Sequence, residues 1–197
     1  MTYVVLASQS AVRSALLAAA GVIFERRSSG VDETSIKDAL SAEGATPLQI
    51  AAALAEAKAL AVSRTIEGLV IGADQTLELD GILFDKADDL DMARARLLAL
   101  RGRTHKLHAA VTVAEDGVIV WRTAETASLT VRDFSDVFLH AYLAAHGQTI
   151  LSSVGCYELE GAGIQLFERI EGDYFAILGL PMLDLLTFLR TRGVLAA

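Results

Sequence analysis

The sequence has 197 residues, 53% hydrophobic and 21% charged, which suits one globular domain or two fused lobes and excludes a disordered chain. Its 25 acidic and 17 basic side chains leave a net charge of −8, and no Lys/Arg cluster exceeds Arg26-Arg27, so a nucleic-acid polymer is excluded as partner while a small anion is not. No run approaches the ~20 apolar residues of a membrane span, and the single Cys156 cannot form an internal disulfide.

Tyr3–Ala7 reads as a buried strand, and Ser8-Gln9-Ser10 offers hydroxyl caps to a helix over Ala11–Ala20 that Gly21 closes. The apolar run Leu16 to Ile23 lies behind Arg13 but follows a strand and a polar turn. It is therefore a helix and not a secretory leader, and a cytoplasmic location is expected. Val22–Arg27 returns to strand. Thr46-Pro47 opens an Ala-rich helix running to about Arg64. Leu69–Ile71 is a strand leading to Gly72-Ala73-Asp74-Gln75, and Thr76–Leu79 continues extended into an Asp80-Gly81 turn. Leu90–Arg101 is a helix closed by Gly102. Thr104–Ala114 and Val118–Val131 form a long hairpin with Asp116-Gly117 at its tip. Ser135–Ala145 is helical and Gly147 ends it. Gly155–Gly163 is glycine-rich, Ile164–Ile170 is extended, Glu171-Gly172 is a turn, Tyr174–Leu178 is extended, and Pro181–Arg190 is the terminal helix. Strands alternate with helices but hairpins interrupt them, which gives an α/β fold with a mixed sheet in a single domain over residues 1–197.

Three local features bear on chemistry. The strand–Ser8-x-Ser10-x-x-Arg13–helix unit is a candidate anion site, because helix N-terminal amides, hydroxyls and a guanidinium all favour negative charge; its plain alternative is an ordinary capped helix. Asp74 follows a buried strand, where a carboxylate can hold a divalent metal or take a proton from water. Glu33, Lys58, Lys86 and Glu160 are polar groups in apolar surroundings, and Lys58 either snorkels or reaches into a site. Other candidates fail. His105 and His108 are three apart on a strand and face opposite sides, so they cannot share a metal. Gly161-Ala162-Gly163 lacks the context of a dinucleotide fingerprint, and Cys156 has no adjacent base.

Together the segments resemble the Maf family of nucleoside triphosphate pyrophosphatases. The resemblance is carried by Leu6-Ala7-Ser8-Gln9-Ser10-x-x-Arg13, Asp32-Glu33, Ala57-Lys58-Ala59, Ile71-Gly72-Ala73-Asp74-Gln75, Lys86, Gly102-Arg103-Thr104-His105, Glu160-Gly161-x-Gly163 and Phe167–Tyr174, in order over nearly the whole chain. It implies a twisted mixed sheet flanked by helices, with two lobes around a deep cleft, like the inosine triphosphatases. It also implies a homodimer that cleaves a nucleoside triphosphate to the monophosphate and pyrophosphate with Mg2+ or Mn2+. By the same resemblance Asp74 is the catalytic acid/base or metal carboxylate and Glu33 a second acidic, metal-holding group. Ser8, Ser10, Arg13, Lys58 and Lys86 hold the triphosphate. Val12, Gln75 and Glu160 stand at positions that bear on the base. The pair Gln75 and Glu160 resembles the branch acting on 7-methyl-GTP, and an ionised Glu160 could accept from a guanine edge. Val12 and Ala87 depart from the family pattern. The alternatives are a dTTP/UTP pyrophosphatase of the same family and a nucleotide-binding regulator of cell division without catalysis.

Overall fold

The description rests on a computed structural model and covers residues 3–196. Seven strands form one sheet: β1 (Val4–Leu6), β2 (Glu25–Arg26), β3 (Leu69–Leu79), β4 (Ile82–Phe84), β5 (Thr104–Glu115), β6 (Val118–Val131) and β7 (Phe167–Glu171). The order is β2-β1-β3-β5-β6-β7, with β4 also on β3. β1 pairs in parallel with β2 and β3, and every other pairing is antiparallel, so the sheet is mixed as expected. The helices are α1 (Ala11–Ala19), α2 (Glu33–Ala42), α3 (Pro47–Ser63), α4 (Leu90–Leu100), α5 (Asp136–Ile150), α6 (Tyr174–Ile177) and α7 (Met182–Thr191), with a 3-10 turn at Ala162–Leu166.

Strand β3 organises the molecule. Along one edge it pairs with β5 over nearly its full length. Its other edge pairs with β1 over 69–71 and with β4 over 77–79. Among the described residues, no strand lies beside 72–76 between these partners. Each flank of this gap rests on its own apolar core. Leu6, Leu17, Leu69, Ile71 and Val113 pack with Leu185 and Leu189 of α7 on one side. Leu77, Leu97, Leu107, Leu129, Phe134 and Leu139 pack on the other. Each such side chain, fully buried, contributes about 1.5–3 kcal/mol relative to exposure. Two cores on one continuous strand are what the expected two lobes amount to here.

Side chains alternate along β3, so 70, 72, 74, 76 and 78 face α3 and the odd-numbered residues face the opposite side. Gly72 lets α3 approach closely: a Cβ there would stand 2.2 Å from the Ala55 carbonyl oxygen and 2.5 Å from the Ala59 nitrogen. Strand β6 is paired by β5 along its whole length but by β7 only over 128–131, so 118–127 forms an outer edge.

Several expectations need correction. Tyr174–Leu178 is not extended: α6 is one helical turn, N-capped by Asp173, whose carboxylate accepts from the Ala176 N–H at 2.8 Å, and stopped by Gly179 at φ +89°. A local cap and stop outweigh the apolar run. Residues 162–166 are 3-10 and only 167–171 are strand. α5 continues through Gly147 to Ile150, because the missing side chain there makes room for Leu90. The second strand shortens to Glu25–Arg26, and α2 was not expected at all. Met1 and Thr2 lie outside the described residues.

Candidate active site

The gap in the β1/β4 edge of β3 gathers most of the chemically notable side chains. Asp74 lies in the middle of β3 and not at a strand end, because β3 continues past β1 to meet β4. It is 7% exposed and faces α3, where Lys58 projects from the buried side of the helix. The Lys58 ammonium donates to Asp74 Oδ1 at 2.7 Å and meets Glu33 Oε1 at 2.9 Å. Lys58 therefore reaches inward instead of snorkelling, and Gly72 one turn away permits the approach. Glu33 opens α2, whose cap is Asp32: its carboxylate accepts from the Ser35 N–H at 3.1 Å and the Ser35 hydroxyl at 2.7 Å.

Arg13 enters from α1. Its Nε donates to the Gly179 carbonyl at 2.8 Å, and one terminal nitrogen donates to the Ala73 carbonyl at 3.0 Å, on the unpaired edge itself. Burial pushes the guanidinium's pKa down while Asp74 and Glu33 pull it up, so a charge is held beside both carboxylates. Ser8 Oγ accepts from the Ser10 N–H at 3.2 Å, and Ser10 Oγ caps the Arg13 N–H at 3.3 Å. The Ser14 N–H is satisfied by the Ser10 carbonyl. That leaves the first two amides of α1, at Ala11 and Val12, as the anion-facing donors of the helix end. Val12 itself is half-buried in this first turn. Arg26, noted above only as one of a basic pair, steadies the turn by donating to the Gln9 carbonyl at 2.7 Å.

The remaining expected residues lie differently. Gln75 is on the opposite face of β3 from Asp74, and its amide nitrogen donates to the carbonyls of Ala176 (3.0 Å) and Ile177 (2.9 Å) in α6. Both its donors are occupied, and only its oxygen remains for a ligand. Lys86 and Glu160 are exposed. Lys86 follows β4, and Glu160 precedes the 3-10 turn, so each comes from a loop beside the second core. His105 and His108 do face opposite sides: His105 Nε2 meets the Tyr157 hydroxyl at 2.7 Å, whereas His108 bridges Thr126 Oγ1 (2.8 Å) and Glu78 Oε2 (2.9 Å).

Asp74 and Glu33 can serve a divalent cation. Each gives one oxygen to Lys58 and keeps the other. No third His, Cys, Asp or Glu joins them among the described residues. Mg2+ commonly takes one or two carboxylates and completes its shell with water and substrate phosphate, so this donor set fits a cation that arrives with a nucleotide better than a closed protein cage. A hollow of about 450 Å3 lined by Ser63–Glu67 and Asp116 lies at the far end of β3 and shares none of these groups.

Comparison with known proteins matches residues 3–192 to the family described as Maf-like protein. A nucleoside triphosphate pyrophosphatase of Caulobacter vibrioides is 60% identical over 195 residues, covering 99% of this chain and 98% of that one. A 7-methyl-GTP pyrophosphatase of Rhizobium meliloti is 50% identical over 194 residues, 98% of each chain. Another so named, from Brucella abortus, is 49% identical over 187 residues, 94% of each.

Proposed function

Since the chain belongs to the Maf family, we propose that the unpaired edge of β3 is the active site of a nucleoside triphosphate pyrophosphatase. The protein is a hydrolase that converts a nucleoside triphosphate to the monophosphate and pyrophosphate. The observation that carries the assignment of residues is the single buried ammonium of Lys58 joining two carboxylates, Asp74 and Glu33, beside the Arg13 guanidinium.

Phosphoryl transfer asks a protein mainly for positioning and charge neutralisation. In this reading Ser8, Ser10 and the open amides of α1 hold triphosphate oxygens, with Arg13, Lys58 and Lys86 supplying positive charge. Asp74, with Oδ1 fixed by Lys58, presents its other oxygen to a water and accepts the proton as that water attacks phosphorus. Lys58 keeps the carboxylate oriented and, on substrate entry, exchanges part of its contact with Glu33 for phosphate. Asp74 and Glu33 would hold the Mg2+ or Mn2+ that, when bound, neutralises charge developing on the bridging oxygen. A cytoplasmic homodimer completes the reading.

For the base, the preferred substrate is a guanine-type triphosphate methylated at N7. Glu160, ionised and therefore only an acceptor, suits the two donors of the guanine edge and the positive charge of the methylated ring. Uracil and thymine offer one imino donor between carbonyl acceptors, and a hydrogen-bonding site discriminates strongly against such a mismatch. The test is kcat/KM for 7-methyl-GTP, GTP, dTTP and UTP with magnesium, in the wild type and in Glu160→Gln. The expected outcome is preference for 7-methyl-GTP, narrowed by Glu160→Gln. Equal or better turnover of dTTP and UTP by the wild type would overturn the base assignment. Pyrophosphate release from none of the four would overturn the active-site reading.

A further inference from the structure

Arg96 lies on the inward face of α4, in register with buried Ala93, Leu97 and Leu100. It is 8% exposed, and burial pushes its pKa down. Among the described residues no carboxylate forms an ion pair with it. Such a charge is costly unless its donors are well used. One terminal nitrogen of the guanidinium donates to two backbone carbonyls on separate segments: that of Asp85, just after β4, and that of Val154, in the loop before the 3-10 turn. Its guanidinium carbon lies over the Phe84 ring, 4.9 Å from the ring centroid. The same two segments each send a buried residue, Ala87 and Cys156, into the second core. Cys156, two residues after Val154, has a left-handed backbone, φ 57°. The Asp85 side chain, in turn, pairs with Lys37 on α2, the helix that starts at Glu33.

These contacts sew together two loops that contribute nothing to each other's secondary structure. Asp85 immediately precedes Lys86, and Val154 lies in the loop that leads to Glu160. We propose that Arg96 is a positioning residue that fixes the loop bearing Lys86 against the loop bearing Glu160, and so sets how tightly the triphosphate is held. The inference rests on the roles given above to Lys86 and Glu160. An apolar residue would fill this place in the core equally well. What an apolar residue cannot supply is the donor that holds two carbonyls from different segments at once, carried here on a planar group of limited freedom. Arg96 touches no side chain of the catalytic group and acts through the two backbones.

Arg96→Met and Arg96→Lys test this, each alone and with Lys86→Ala, by kcat and KM for the wild type's best triphosphate. Met keeps the volume and needs no partner, so the fold is expected to survive; circular dichroism and Tm check that. The expected result for Arg96→Met is a KM raised tenfold or more with kcat changed less than threefold, and partial recovery in Arg96→Lys. If Arg96 acts through Lys86, adding Arg96→Met to Lys86→Ala raises KM no more than twofold further, because coupled sites are not additive. A folded Arg96→Met with wild-type KM overturns the inference, as does a KM effect that multiplies in full on Lys86→Ala. Should Arg96→Met not fold, the same comparison made with Arg96→Lys decides. A wild type without pyrophosphate release, or a silent Lys86→Ala, overturns the underlying reading instead; an impaired Lys86→Ala beside a silent Arg96→Met overturns this inference alone.

Discussion

In the proposed active site Asp74 carries the most weight of any single side chain, and the role given to it separates from its support of the fold. Asparagine at 74 still offers an oxygen to Lys58 at the same place but cannot take a proton. Asp74→Asn should therefore lower kcat by at least about a hundredfold, with Tm within a few degrees of the wild type, as measured by pyrophosphate release and calorimetry. Near-normal turnover would give the acid/base role to another group. His105 makes a different prediction. Burial holds its pKa down to about 4 against an ordinary 6.5, and among the described residues Nδ1 has no partner. Between pH 6.5 and 4 the unfolded chain takes up a proton that the folded chain refuses, so stability is full above pH 6.5 and is lost as pH falls toward 4. The loss from this site is about 3 kcal/mol. Tm measured over that range should drop in the wild type and drop less in His105→Gln, which keeps a bond to Tyr157 without titrating. At this scale Asp74 and Lys58 were legible in the sequence as charges within apolar runs, and Glu33 through the Asp32-Glu33 pair. Arg96 was not, because an arginine on a charged-looking helix gives no sign of facing inward.

Elements were legible where their signal is periodic and long: the Thr46-capped α3, with its capping box to Gln49, and the β5–β6 hairpin both lie where expected. The failures are short or weakly apolar. α2 has no buried residue, so its helical period shows only at Ile36 and Leu40, and its clearest mark is the Asp32 cap. α6 hid within an apolar run whose helical turn is fixed by Asp173 before it and Gly179 after it. Its position depends on Gln75, whose amide group donates twice to its carbonyls, and that dependence is testable. Gln75→Ala removes the side-chain donor from the Ile177 carbonyl, while that of Ala176 keeps the Gly179 N–H, and should cost about 1–3 kcal/mol. Gln75→Glu turns a donor toward the same carbonyls into a carboxylate and should cost more, read as a larger fall in Tm. Equal Tm values for the two variants would mean that the contact with the α6 carbonyls does not set the position of α6.

The sheet as a whole was legible as mixed, but its central device was not. No local pattern shows that one edge of β3 is handed from β1 to β4 with residues 72–76 left between, because that depends on where the chain returns after a long excursion. The same sheet also leaves 118–127 of β6 without an outer partner. By the alternation of the ladder, the N–H and C=O groups of Arg122 and Ala124 point away from β5; beyond them the pairing shifts register at Val120, and Val118 and Val120 are exposed. When warming loosens the molecule, this ladder is ready to accept a strand from a neighbouring unfolded chain, and a captured strand does not readily let go. The protein's lifetime on heating should then be set by a rate and not an equilibrium. Its apparent Tm should rise with scan rate and fall with concentration, and refolding on cooling should be incomplete. Val120→Lys, which sets a charge on the edge without touching either core, should restore recovery on cooling while leaving pyrophosphate release unchanged; recovery no better than that of the wild type would place the irreversible step elsewhere.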